Sequence, residues 1–323
     1  MEGSTNLRIL ITGAAGFLGQ KLTRALCGNA AKSAPTELVL WDHLPVQAPP
    51  EWAGPVRLVQ GDLLQPENLQ AAFAQGLDVV FHLAAVVSAQ AEAEFDLGLR
   101  VNLDGTRTLL EACRGLQAPP VFVTTSSVAA FGGDVPVPVP DDQAPTPRST
   151  YGTTKVIGEL LVNDFSRKGF IDGRVLRLPT ITVRPGKPNK AASSFASGII
   201  REPLNGDRSN CPIAENTPLW LMSPRRAVDA LVRAAGIPAS VLGDDRVITL
   251  PGLTATPAEM VGALERIAGA ETAGRVTWRR DPAIEAIVST WPGAFQAVRA
   301  RELGFEADAS IDEIVRAYME DDL

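Results

Sequence analysis

The chain has 323 residues, of which 45% are hydrophobic and 21% charged, and a formal net charge of −7 at pH 7. That is enough apolar material for one large domain or for two lobes, and it excludes a disordered chain. The acidic balance, with no long Lys/Arg run, excludes a nucleic-acid protein, and no apolar stretch reaches the roughly 18 residues that span a bilayer.

Residues 1–6 are polar and lack the basic region and cleavage site of a signal peptide, so the expected location is the cytoplasm, with no membrane partner. Cys27, Cys113 and Cys211 are widely spaced and odd in number. They read as free thiols of a reducing compartment and as small buried apolar residues. With only two histidines, no metal cluster is expected.

Residues 7–11 form an apolar run that predicts a buried strand, and 17–27 carry a helical pattern. Between them runs Ile11-Thr12-Gly13-Ala14-Ala15-Gly16-Phe17-Leu18-Gly19. Gly13 permits a tight turn, Gly16 lets the backbone approach a pyrophosphate, and Gly19 lets the helix pack close to the sheet. The helix start offers free N–H groups to phosphates, with Ala15, Phe17 and Leu18 in the same turn. A glycine turn alone is a common coincidence; its place between a first strand and a first helix makes it a dinucleotide signature. The strand predicted over 37–41 ends at Asp42. A carboxylate there suits both ribose hydroxyls of NAD and repels the 2′-phosphate of NADP. The competing reading of Asp42 is a solvated turn residue beside His43, itself a bystander.

After the proline-rich loop 45–55, a strand is predicted over 56–59, and Asp62 and Leu63 follow it, placed to meet the adenine. A helix over 66–75 starts with a proline, and a strand spans 78–83. That strand runs into His82-Leu83-Ala84-Ala85, whose small residues let the chain pass beside a cofactor; His82 reads as a satisfied core histidine. One long helix is expected over 92–114, then a strand over 121–125 ending in Thr124-Thr125-Ser126-Ser127. A hydroxyl there can bond a reacting oxygen, or can cap its own backbone.

Loop 132–150 leads into a helix over 151–167 that opens with Tyr151-Gly152-Thr153-Thr154-Lys155. Positions i and i+4 share a helix face, so the Lys155 ammonium can lie near the Tyr151 phenol. A free tyrosine, with a pKa of about 10, is a poor base; a nearby positive charge favours its phenolate. A strand is predicted over 174–178, a helix over 191–201, a helix over 224–235, a strand over 246–250, and helices over 257–268 and 311–319. Short Val/Leu/Ile-rich strands alternating with helices predict an α/β fold, a Rossmann-type doubly wound parallel sheet with a smaller C-terminal substrate-binding lobe. Residues 1–180 form the expected NAD-binding domain, with 224–250 returning to it; 181–223 and 251–323 form the substrate lobe.

Arg184, Lys187 and Lys190 fall just after the strand that ends at the cofactor, and Ser193 and Ser194 follow at a helix start. Together they can bind a substrate carboxylate, Arg with two parallel bonds and Lys as a point charge. A phosphate would suit the same patch, and a solvated charged loop is the plain alternative; Arg225 is the next candidate.

The order of these parts resembles an extended short-chain dehydrogenase/reductase, of the NAD-dependent epimerase/dehydratase family. The matching pieces are Gly13 to Gly19, Asp62-Leu63, His82 to Ala85, Asn102 within Val101-Asn102-Leu103-Asp104-Gly105-Thr106, and Ser127 four residues before Phe131-Gly132. Tyr151 with Lys155, Arg177-Leu178-Pro179, and Ala300-Arg301-Glu302-Leu303-Gly304-Phe305 complete the set. The resemblance implies NAD as cofactor, Tyr151 as proton acceptor, Lys155 as its partner, Ser127 on the reacting hydroxyl, and Asn102 supporting the site. Leu83, Ala84 and Pro179 would touch the cofactor, and Ser88 and Ser126 would join the substrate contacts. A homodimer through the helices at 92–114 and 151–167 is also implied. Phe131 stands where the family often has Tyr, a packing position.

Residues 182–195 and 200–206 resemble, more narrowly, the D-erythronate dehydrogenase branch, which implies NAD-dependent oxidation at C2 of a small sugar acid. Two rivals stay open. A nucleotide-sugar epimerase or dehydratase would use the same residues and regenerate its NAD. A non-enzymatic NAD-sensing binder would share the fold, though the intact Ser127/Tyr151/Lys155 set counts against it.

Overall fold

The structure is a computed structural model and describes residues 7–28, 35–188 and 191–323. The first half alternates as expected: β1 (Arg8–Thr12), α1 (Phe17–Cys27), β2 (Glu37–Asp42), β3 (Val56–Gln60), α2 (Pro66–Phe73) and β4 (Val79–His82). The single long helix expected over 92–114 is instead a chain of pieces: α3 (Ser88–Ala93), α4 (Phe95–Leu99), a π-helical turn (Arg100–Asp104) and α5 (Gly105–Arg114). The break falls at Glu94, whose backbone leaves the helical region. The bend lets Gly98 press on Ala91, where an added Cβ would meet the Ala91 Cβ at 3.1 Å.

Next come β5 (Val121–Ser127), α6 (Thr150–Arg167), β6 (Asp172–Leu178) and β7 (Thr180–Ile181). They are followed by α7 (Ser194–Leu204), β8 (Ser209–Cys211), β9 (Leu219–Met222), α8 (Pro224–Ala235), α9 (Ala239–Leu242), β10 (Val247–Thr249) and β11 (Leu253–Ala255). The chain ends with α10 (Pro257–Ala268), α11 (Ala270–Ala273), β12 (Val276–Trp278), α12 (Pro282–Val288), α13 (Val298–Glu302) and α14 (Ile311–Asp321). Proline at the first turn and a Ser or Thr cap start α8 and α10 where the sequence predicted them.

Seven strands pair in parallel in the order β10-β6-β5-β4-β1-β2-β3. Parallel pairing needs a crossover after each strand and buries both faces, which is why these strands are apolar throughout. On one face Leu22 and Leu26 of α1 and Ala227 and Leu231 of α8 pack on Ile9, Leu38 and Phe81. On the other, Leu109 and Leu110 of α5 and Val162 of α6 pack on Leu10, Val39 and Phe122. The strand order reverses between β1 and β4, and that switch point opens a crevice beyond the C-terminal ends of the strands. A separate core gathers residues of α7, α10, α14 and β9, among them Ile199, Leu221, Met260 and Ile314. Small sheets β11-β9-β7 and β12-β8 belong to this side. Cys113 and Cys211 are buried as expected; Cys27, at the end of α1, is only half-buried. No helix among the described residues is long and apolar enough to cross a membrane.

Candidate active site

The turn after β1 is close to the backbone leaving β4. A Cβ on Gly13 would stand 2.7 Å from the Ala84 nitrogen, and one on Gly19 would stand 2.2 Å from the Gly13 carbonyl oxygen. Gly13 also holds φ +73°, a conformation side chains resist. The turn therefore needs glycine for two separate reasons, one conformational and one steric. Asp42, at the end of β2, is buried and accepts bonds from the Ala15 N–H at 3.0 Å and the Leu44 N–H at 3.0 Å. Its carboxylate thus sits on the rim of the glycine turn. The exposed His43 lies 2.9 Å from it. Asp62 accepts the Leu64 N–H at 3.0 Å and is paired with Arg100. Leu63 packs beside Gly105, where an added Cβ would stand 3.4 Å away.

His82 ends β4 in a fully bonded position, its Nδ1 2.8 Å from the Thr12 hydroxyl and its Nε2 2.9 Å from the Thr106 hydroxyl. The Thr106 hydroxyl donates to the Asn102 carbonyl at 2.7 Å, so it must accept from His82 Nε2–H. Thr12 then donates to Nδ1, and the ring is held neutral. Burial first, and the Lys155 charge second, push its pKa down to about 3. Asn102, in the π turn, accepts the Val86 N–H at 2.7 Å and donates to the Val86 carbonyl at 3.0 Å. It thereby pins the loop after β4 against the helix layer.

A cavity of about 180 Å³ brings most of the sequence candidates together: Leu18, Leu83, Ser127, Tyr151, Lys155 and Pro179. Phe17, Ala85, Ser88, Ser126, Arg184 and Ser193 share its walls. Within it Lys155 Nζ donates to the Thr125 carbonyl at 2.8 Å and lies 5.5 Å from the centre of the Tyr151 ring. Burial lowers the Lys155 pKa to about 8, opposed by Glu159. The expectation that a cation would bring the Tyr151 phenol down is overturned for the protein's own groups. Burial raises its pKa to about 12, and the cation that opposes this is Arg184. Ser127 accepts the Ala129 N–H at 3.1 Å, which makes it both a backbone cap and a cavity wall.

Ser126 donates to Glu159 at 2.5 Å, and Glu159 takes two parallel bonds from Arg177, at 2.8 and 2.7 Å. This buried Glu159–Arg177 pair, absent from the sequence candidates, ties α6 to the ends of β5 and β6. The sequence signals for it are Glu159 one helical turn after Lys155 and Arg177 in the Arg177-Leu178-Pro179 motif. Arg177 also covers the Phe131 ring at 4.8 Å, which accounts for Phe131 as a packing residue.

Arg184 is held from three sides. Its Nε donates to the Ile181 carbonyl at 2.9 Å, its Nη2 donates to Ser193 Oγ at 2.8 Å, and its N–H donates to Ser197 Oγ at 3.0 Å. Ser88, buried, accepts the Ala192 N–H at 3.1 Å. Lys187 is exposed and does not line the cavity, and Lys190 lies outside the described residues. Arg225 is remote from the cavity and pairs at the surface with Asp321 at 2.6 Å and Glu320 at 2.9 Å. Trp291, which no motif marks, stands on the cavity wall.

The NAD dependent epimerase/dehydratase family matches residues 9–220. The chain is 56% identical over 319 residues to a D-erythronate dehydrogenase of Cupriavidus necator, covering 98% of each chain. It is 40% identical to the D-erythronate dehydrogenase of Haemophilus influenzae, over 98% of this chain and 100% of that one. A crystal structure of a nucleoside-diphosphate-sugar epimerase from Agrobacterium tumefaciens superposes with a TM-score of 0.92 at 42% identity, over 98% and 94% of the two chains. An L-threonine dehydrogenase of Clostridium difficile superposes with a TM-score of 0.85 at 25% identity, over 97% of each chain. With the doubly wound sheet, the glycine turn and the Ser/Tyr/Lys cavity in place, the chain belongs to the NAD-dependent epimerase/dehydratase family of extended short-chain dehydrogenases.

Proposed function

We propose that the protein oxidises the C2 hydroxyl of D-erythronate, a small sugar acid, to the 2-oxo acid with NAD. The observation that carries this reading is one small cavity whose walls hold the Tyr151/Lys155 pair and an anchored guanidinium, Arg184. The near-full-length identity to two proteins named D-erythronate dehydrogenase supports it. A cavity of about 180 Å³ is also smaller than the about 300–1,000 Å³ that holds a drug-sized ligand.

The residues fit NAD. A Cβ would fill the cradle at Gly13 and Gly19, and Asp42 is set on the rim of the turn where the adenosine ribose would lie. When bound, NAD supplies the hydride acceptor and a positively charged ring. Arg184 grips the substrate carboxylate: among the described residues, Ile181 and Ser193 take two of its five guanidinium donors, and a carboxylate can take two more in parallel. Tyr151, as phenolate, takes the proton from the C2 hydroxyl. Ser127 steadies that oxygen, Lys155 stands 5.5 Å from the centre of the Tyr151 ring, and the Arg184 charge offsets part of the burial of the phenolate. Holding both reactants in one small space supplies much of the rate. Asn102 acts through the loop after β4, which it fixes.

The same proposal divides the chain at 1–180 with 224–250, against 181–223 with 251–323; β10 and α8 packing with the seven-stranded sheet supports it. It includes a homodimer, on whose helices Phe95 and Leu160 stand exposed, and a cytoplasmic location, which three free cysteines suit. The name of the Agrobacterium structure favours a second reading, an epimerase of nucleoside-diphosphate sugars. One assay separates them: the first predicts stoichiometric NADH from D-erythronate, the second a changed UDP-sugar with no net NADH.

A further inference from the structure

We infer that Trp291 is the residue that limits substrate chain length, closing the site to sugar acids longer than about four carbons. This rests on the proposed oxidation of a sugar acid at C2. Tyr151, Lys155, Arg184 and Trp291 line the same cavity. A substrate oriented by its carboxylate on Arg184 and its C2 hydroxyl on Tyr151 has both ends of the C1–C2 unit fixed. The remaining carbons must run toward a third wall, and about 180 Å³ leaves little room beside the nicotinamide end of the cofactor.

Trp291 cannot easily yield. Its backbone N–H donates to the Val288 carbonyl at 3.0 Å at the end of α12, and its side chain packs on the second core. Two residues on, a Cβ at Gly293 would meet the Pro218 Cβ at 2.6 Å, and the Gly293 carbonyl accepts the Thr254 hydroxyl at 2.8 Å. The segment then bonds across to the loop before α6: the Val139 N–H donates to Ala294 at 2.9 Å and the Gln296 N–H to Val139 at 2.9 Å. Phe295 is buried there, its ring 5.6 Å from Phe131 and 5.8 Å from Trp220. A wall fastened to the second core and to the Phe131–Trp220–Phe295 cluster excludes by shape, and each carbon that must be fitted against such a wall changes kcat/KM by about tenfold or more. Trp291 is thus a specificity residue, separate from the proton chemistry.

The test is kcat/KM with NAD for glycerate, D-erythronate, D-ribonate and D-gluconate, in the wild type, Trp291→Ala and Trp291→Phe. The wild type should fall about a hundredfold or more from the four-carbon to the six-carbon acid. Trp291→Ala should raise the six-to-four-carbon ratio at least about tenfold, with Trp291→Phe between. NADH fluorescence titration reports whether each variant keeps its cofactor site; if Trp291→Ala does not fold, Trp291→Phe with ribonate decides. A wild type that oxidises gluconate as well as erythronate overturns the inference. So does a length profile unchanged in a variant that binds NADH. A wild type inactive on every acid overturns the proposed function instead, and the two failures are distinct.

Discussion

His82 offers a perturbation whose size follows from the structure. It is buried at the end of β4 with both ring nitrogens bonded, and the Thr106 hydroxyl, already donating to Asn102, fixes the Nε2–H tautomer. A proton added at Nδ1 would put a positive charge in a buried site, out of water and beside the Lys155 ammonium. The pKa is accordingly lowered from an ordinary 6.5 to about 3. The unfolded chain takes up this proton near pH 6.5 and the folded one does not until near 3. This contribution to stability is therefore complete above about pH 6.5 and is lost as pH falls toward 3. At pH 4.5 the loss is about 3 kcal/mol, from about two units at about 1.4 kcal/mol each.

His82→Gln cannot take the charge. Between pH 7 and 4.5 its unfolding free energy in urea should fall by about 3 kcal/mol less than that of the wild type. The chain has only two histidines, so ¹⁵N spectra of the ring nitrogens contain two residues, and the variant assigns them. A His82 ring that protonates above pH 5, an Nδ1–H tautomer, or parallel losses in the two proteins would refute the reasoning.

Tyr151→Phe keeps the ring and loses the phenolic oxygen; kcat should drop by about 10²–10⁴-fold with NADH binding retained, and near-normal turnover would remove Tyr151 from the chemistry. Asp42→Ala frees the Ala15 and Leu44 N–H groups and deletes the ribose partner. It should weaken NAD and relax discrimination against NADP, measured as the ratio of kcat/KM values; equal use of both by the wild type argues against the assignment. Glu159→Ala leaves Arg177 buried without its carboxylate and should cost about 3–5 kcal/mol in urea unfolding, whereas a loss below about 1 kcal/mol would mean that Arg177 finds another partner.

The sheet, the glycine turn, Asp42 and the Tyr151/Lys155 pair were legible in the sequence because each is written in a local pattern. Apolar runs between turn residues specify buried parallel strands, and a four-residue spacing on a helix sets two side chains on one face. The proline starts of α8 and α10 are local in the same sense. What depended on distant contacts was not legible. The periodicity over 92–114 read as one helix, yet packing against Ala91 and the demand of the Val86 loop break it at Glu94 and wind a π turn at Asn102. The short strands β8, β9, β11 and β12 carry too few residues to show a period. Arg184, Lys187 and Lys190 were equivalent cations in the sequence, but Arg184 is turned inward, by Ile181 and Ser193, while Lys187 stays in solvent. Tyr151 met a cation as expected, but its pKa moved up, because desolvation depends on everything that surrounds the ring. Trp291 and the Glu159–Arg177 pair belong to the site only because segments far apart in sequence close on the same cavity and strand ends. Sequence set which groups could react; the tertiary packing decided which of them face one another, and how much water is left between them.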